Sequence, residues 1–135
     1  MEKKLGEIIE QRLISLGIQK VKMYRDLGIS SSNTCSFFKG RRGVKYDVLI
    51  AMLKYLGLTF GKETENTSDV ELNHIPEFIK SCFKEKYNNI KDIDLPVHYC
   101  TLISFTSGYR KVTSLTLEKL LPVIGVTILP YKKEV

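Results

Sequence analysis

Through its first sixty positions the chain sets apolar side chains at intervals close to one helical turn. Leu5, Ile8, Ile9, Leu13 and Leu16 form one stripe, and Gly17 ends it. Val21, Met23, Tyr24 and Leu27 form a second, shorter stripe closed by Gly28. Ser30 is placed to cap a third helix, its hydroxyl accepting a free backbone N–H of the next turn. That helix is expected to run to about Lys39, with Gly40 supplying a left-handed C-terminal residue. Val48, Leu49, Met52, Leu53 and Leu56 make a fourth stripe that stops at Gly57. Strand-like alternation is absent except in "VTILPY" near the C-terminus.

The pattern then occurs a second time. A shift of 68 positions puts Asp26-Leu27 on Asp94-Leu95, Phe37 on Phe105, Gly40 on Gly108 and Arg42 on Arg110. The same shift puts Val44 on Val112, Leu49 on Leu117, Leu53 on Leu121 and Gly57 on Gly125, with no gap between Asp26 and Phe60. Upstream, Ile8, Ile9 and Leu13 answer Phe78, Ile79 and Phe83 at an offset of 70, so the connection after the first helix is about two residues shorter in the second copy. One repeated pair is a tandem duplication of a small domain, not a solenoid. Between the copies, "GKETENTSDVELNH" is polar, acidic and nearly free of large apolar side chains. The expected architecture is therefore all-α: a domain at 1–61, an acidic linker at 62–74 and a divergent second domain at 75–135.

In the first copy, the second and third helices are separated only by Gly28-Ile29-Ser30, the short glycine-containing turn of a helix-turn-helix unit. Such a unit offers its second helix to the DNA major groove, N-terminal end first. With Thr34 and Phe37 turned to the core, Ser31, Ser32, Cys35, Ser36 and Lys39 face outward or sit on the rim. Small hydroxyl side chains let a helix come close to base edges and bond to bases or phosphates. Arg41, Arg42 and Lys45 follow, placed to grip the phosphate backbone.

The stretch "MYRDLGISSSNTCSFFKGRRGVKYDVLIAMLKYLGL" resembles the phage-repressor (Cro/C1, Xre) helix-turn-helix family. The family's pattern falls here on Tyr24 and Leu27, Gly28, Phe37, Gly40 and Leu56-Gly57-Leu58, and the likeness covers residues 5–60. Two positions depart from it: Thr34 stands where Ile or Val is usual, and Tyr24 where a small Ala is usual. The resemblance implies a lambda-repressor-like fold, two tandem copies of it, and binding of double-stranded DNA. By position it places the family's base-reading sites on Ser31, Ser32 and Ser36 and its phosphate contact near Gln19 or Lys20; with Ser30, Asn33, Lys39, Arg41, Arg42 and Lys45 these make up the expected DNA-binding set. Single domains of this family bind as pairs, so a second copy or a homodimer is expected to supply the second half-site. The second copy resembles the family more weakly. Pro96 replaces the turn glycine, Pro122 falls inside the last helical stripe where it is expected to kink or end the helix, and the corresponding face would be His98, Tyr99, Thr101 and Ser104 with Tyr109, Arg110 and Lys111. That copy is expected either to read DNA as well or to serve dimerisation or a protein partner.

Charge is consistent with a polyanionic partner. Of the net charge of +6, residues 1–62 hold 12 Lys/Arg against 5 Asp/Glu, and residues 63–135 hold 9 against 10. The excess therefore lies in the half that carries the family likeness. Catalytic chemistry finds little support. His74 falls in the linker and His98 on the second helix face, with no Cys or carboxylate at a spacing that makes a metal or acid–base site. Asp92 and Asp94 read as a solvated pair, and no Walker loop, dinucleotide fingerprint or nucleophile motif occurs. No cofactor, metal or catalytic residue is assigned. Phe38 is expected to be partly exposed, and Tyr46, Tyr55, Tyr99 and Tyr109 do not form one stacking strip. Three widely spaced cysteines (Cys35, Cys82 and Cys100) suggest neither a disulfide framework nor a zinc site. With no apolar run near the roughly 20 residues a bilayer requires, the protein is expected to be cytoplasmic. The expected function is a sequence-specific duplex-DNA-binding transcriptional regulator, a repressor acting by operator occupancy through the major groove. The rival expectation is an antitoxin-like or anti-repressor module whose second domain holds a partner.

Overall fold

The computed structural model describes residues 4–86 and 99–132. Within them the protein is mostly helical, with seven α-helices and one two-stranded antiparallel sheet. Helices α1 (Leu5–Leu16), α2 (Lys20–Leu27), α3 (Ser31–Phe38) and α4 (Tyr46–Leu56) lead into strand β1 (Leu58–Lys62). Helices α5 (Ile75–Lys86), α6 (Tyr99–Thr106) and α7 (Ser114–Ile124) lead into strand β2 (Val126–Pro130). Shifted by 68 positions, α3, α4 and β1 land on α6, α7 and β2 end for end, and shifted by 70, α1 lands on α5. The counterpart of α2 lies outside the described residues, as do Asp92, Asp94, Pro96 and His98.

Glycines set these boundaries. Gly40 and Gly108 occupy the left-handed region at φ 75° and 82°, where a side chain costs about 1–2 kcal/mol. After each, the chain turns back by the same bond: the Arg41 N–H donates to the Ser36 carbonyl and the Tyr109 N–H to the Ser104 carbonyl, both at 2.9 Å. Pro122 does not stop α7, which continues to Ile124 and Gly125. It lies in the last turn, so little of the helix beyond it depends on the amide hydrogen it lacks.

One apolar cluster runs through both repeats. Leu5, Ile9 and Leu13 of α1 pack with Leu49, Met52, Leu53 and Leu56 of α4, while α5, α6 and α7 contribute Ile79, Phe83, Leu102, Phe105, Leu117 and Leu121. Two members of the expected stripes lie outside it. Leu16, the last residue of α1, is 46% exposed, and Val21, on the opposite side of α2 from Met23, is 60% exposed.

The sheet is the main departure from an all-α architecture. β1 was not legible as a strand because four of its five residues are buried, so it shows no inside–outside alternation. β2 coincides with the "VTILPY" stretch. Residues 62–74 do not run free between the repeats. Lys62 belongs to β1, Ser68 is buried with its hydroxyl donating to the Phe60 carbonyl at 2.7 Å, and the Thr59 hydroxyl donates to the Val70 carbonyl at 2.8 Å. The strap lies close over Gly61, where an added Cβ would come within 2.7 Å of the Ser68 Cβ. A short 3-10 turn, Leu72–His74, then leads into α5.

Candidate nucleic-acid interface

Helix α3 is only about two turns long and needs no aliphatic residue, because Thr34, Phe37 and Phe38 make up its inner face. Phe37 and Phe38 are buried, their ring centroids 5.5 Å apart, and Thr34 is 1% exposed. Thr34 tolerates this burial because its hydroxyl donates to the Ser30 carbonyl at 2.7 Å. Phe38, expected to be partly exposed, is instead covered, with the Lys20 ammonium 4.8 Å above its ring. The Ser30 hydroxyl accepts the Asn33 N–H at 3.5 Å, a long cap, and lies 3.2 Å from the Ser32 hydroxyl. Ser31, Ser32, Asn33 and Cys35 are exposed and Ser36 is half-buried, its hydroxyl directed to the Ser32 carbonyl at 3.3 Å. The outward face is thus small, polar and uncharged.

Cations border this face. Lys39, Arg41, Arg42 and Lys45 are all exposed, and among the described residues none of them enters an ion pair. Gln19 and Lys20 stand at the start of α2. Gln19 is exposed, whereas the Lys20 ammonium is bound 3.2 Å from the Glu10 carboxylate. The structure therefore brings nine of the eleven expected residues together on α3 and the loop after it, with the other two on the neighbouring helix end. Between the α2–α3 turn and that loop lies an open groove of about 520 Å³, edged by Ser30, Asn33, Arg42 and Lys45 and floored by Ile29 and Val48. Neither was picked out as a groove residue from the sequence, where Ile29 stood in the turn between α2 and α3 and Val48 in the fourth apolar stripe.

A second polar cluster braces the rear of α2. The Asp26 carboxylate accepts bonds from Tyr55 at 2.7 Å and Lys22 at 2.9 Å. The Lys22 bond, followed by that of Tyr55, holds its carboxyl below the usual range. This pairing leaves Asp26 balanced, so it does not cancel the cations beyond α3.

The second repeat presents the same frame with other residues. Tyr99, Thr101, Ile103 and Ser104 are half-buried on α6, and Tyr109 is 90% exposed where the first repeat has Arg41. Arg110 is exposed in the place of Arg42, Thr113 takes the place of Lys45, and Lys111 is bound to Asp47 at 2.7 Å. The Lys111–Asp47 pair spans the repeats, so nothing local in the sequence announces it. His98 lies outside the described residues.

The seam between repeats is uneven. On one side the Val44 N–H donates to the Ser114 hydroxyl at 2.9 Å and the Ser114 N–H to the Val44 carbonyl at 3.0 Å. Leu115 closes over Gly43 there, leaving no room for a Cβ. On the other side Tyr46 meets Phe105 edge-on at 5.6 Å, and an open cavity of about 930 Å³ remains among Tyr46, Ile50, Glu77, Phe105 and Tyr131. Burial there pushes the Tyr46 hydroxyl up to about 12, with the Glu77 and Asp47 carboxylates adding to the shift.

Cys35 and Cys100 are exposed thiols and Cys82 is a buried one whose ionisation is pushed up by desolvation. Among the described residues no group of three or more His, Cys, Asp and Glu is placed to hold a metal, and no helix is long and apolar enough to cross a membrane. Compared with protein-family models, curated proteins and solved structures, the chain matches none of them.

Proposed function

We propose that this protein is a sequence-specific, duplex-DNA-binding transcriptional regulator of the phage-repressor (Cro/C1, Xre) helix-turn-helix kind, built from two tandem copies and repressing by operator occupancy. The observation that carries this reading is the pairing on one surface of an uncharged serine face with four cations that, among the described residues, no carboxylate engages. Thr34 and Phe37 anchor α3 from behind, and the short serine side chains of its front let the helix come close to base edges. In a major groove, Ser31, Ser32, Asn33 and Ser36 reach base edges. Lys39, Arg41, Arg42 and Lys45 meet phosphates and supply most of the affinity by releasing counterions. Lys20 contributes less, because a phosphate would have to displace Glu10. Gln19, at the start of α2, offers an uncharged donor to the same strand. Regulation of this kind requires no reaction, and the action is steric.

The test is a fluorescence-anisotropy titration with labelled duplex from the protein's own upstream region and a scrambled duplex, each at several salt concentrations. The native duplex is expected to bind about a hundredfold tighter, roughly 2.7 kcal/mol. Arg41→Ala/Arg42→Ala should weaken both duplexes. Absence of binding to either duplex at low salt would refute the reading and give the lead to a protein partner.

A further inference from the structure

The two strands meet in a register that sets each repeat against its own counterpart. Phe60 pairs with Ile128, the residue equivalent to it at the 68-position shift. The flanking pairs exchange under the same shift: Thr59–Leu129 becomes Gly61–Thr127, and Leu58–Pro130 becomes Lys62–Val126. So do the bonds at the two ends of the ladder, where the Glu63 N–H donates to the Gly125 carbonyl at 3.0 Å and the Tyr131 N–H to the Gly57 carbonyl at 2.8 Å. A contact in which each residue meets its partner's counterpart is the signature of a two-fold axis. Here the axis lies inside one chain, at the Phe60–Ile128 pair. It relates α3 to α6 and the cation-bearing loop after α3 to the loop after α6. Both loops approach the seam between repeats, through Val44 on Ser114 and through Lys111 on Asp47.

We infer that a single chain reads a two-part DNA site whose halves are unlike, α3 taking one and α6 the other. This rests on the DNA-binding reading of α3. The two halves differ because the axis relates the frames and not the side chains. The α3 half has four cations that form no ion pair among the described residues, and hydroxyls for base edges. The α6 half has Arg110 for a phosphate, Ser104 for a base edge, and the Ile103 and Thr101 methyl groups suited to thymine methyls. Most of the affinity therefore belongs to the α3 half, while the α6 half adds register and length of site. A second chain is not needed to provide the two-fold relation.

The experiment uses the full-length chain to select duplexes from a random-sequence pool, and counts chains per duplex by native mass spectrometry. One chain per duplex is expected, on a site of two dissimilar segments about 10 base pairs apart. Scrambling the first segment should cost about a hundredfold in affinity or more, and scrambling the second about tenfold. Arg110→Ala should weaken binding to the full site and leave binding to a duplex with the first segment alone unchanged. Two chains on a palindrome would overturn the inference and leave the DNA-binding reading standing. So would one continuous segment indifferent to Arg110→Ala. Failure to retain any duplex at low salt would remove both.

Discussion

The loop after α3 carries Arg41, Arg42 and Lys45 with no carboxylate among the described residues paired to them, whereas the loop after α6 carries Tyr109, Arg110 and Thr113 and has its Lys111 bound by Asp47. Beneath these surfaces the two repeats are alike: Phe37 and Phe105, Val44 and Val112, Leu49 and Leu117, and Leu53 and Leu121 are all buried at equivalent places. The difference teaches where the constraint on each copy lies. Both must supply an inner face to one shared core, and only the outer face is free to specialise. Thr34 illustrates the boundary, since its counterpart Leu102 fills the same buried place without a hydroxyl to satisfy.

The largest test of that comparison removes what the repeats share. Phe60 is fully buried at the strand pair, and Phe60→Ala is expected to cost about 3–5 kcal/mol. Urea unfolding followed by circular dichroism and by tyrosine fluorescence should give one transition with a lowered midpoint. Two separated transitions would show that the repeats fold independently.

Next in size is the contrast between the two loops. In Arg41→Ala/Arg42→Ala, the slope of log affinity against log salt should become shallower by about 2, one for each lost phosphate contact. The matching Arg110→Ala/Lys111→Ala variant should change it by about 1, because Lys111 is already paired with Asp47. Equal changes in the two variants would remove the asymmetry between the faces.

Thr34→Val tests the boundary position. It keeps the shape and removes the bond to the Ser30 carbonyl, so a loss of about 1 kcal/mol is expected in thermal or urea unfolding. A neutral result would mean that the bond contributes nothing net at the α3 start. The last test lies at the seam and is confined to alkaline pH. Tyr46 ionises near 10.0 in the unfolded chain and is pushed up to about 12 in the fold. Between those values the folded chain keeps a proton that the unfolded chain has lost, so this contribution is complete below pH 10 and disappears as pH rises through 12. Stability of Tyr46→Phe should fall less steeply over that interval, measured by urea midpoints at successive pH values.

Much of the frame could be read from residue order. The glycines at 17, 28, 40 and 57 punctuate the helices, and the repeat offset of 68 reproduces the element ends, because backbone stops and apolar spacing are local properties. The front of α3 was legible for the same reason: Thr34 and Phe37 face inward three residues apart, and the serines follow on the other side. The pairing of β1 with β2 was not legible. It joins residues about seventy positions apart, and β1 is covered on both faces, which erases the alternation that marks a strand. The strap at Ser68 was hidden by its polar composition, since a serine satisfied by the Phe60 carbonyl looks in sequence like any linker serine. Lys20 was legible as a cation but not as one already held by Glu10, and Phe38 as an aromatic but not as one covered by Lys20.

The central claim is that the α3 face holds duplex DNA, and it is tested most directly by following backbone amide signals of the isotope-labelled full chain as a selected duplex is added. The largest shifts are expected from Ser30 to Lys45, smaller ones from Tyr99 to Thr113, and none on the outer faces of α1 and α5. Shifts confined to α1 or α5, with Ser30 to Lys45 unchanged, would contradict it.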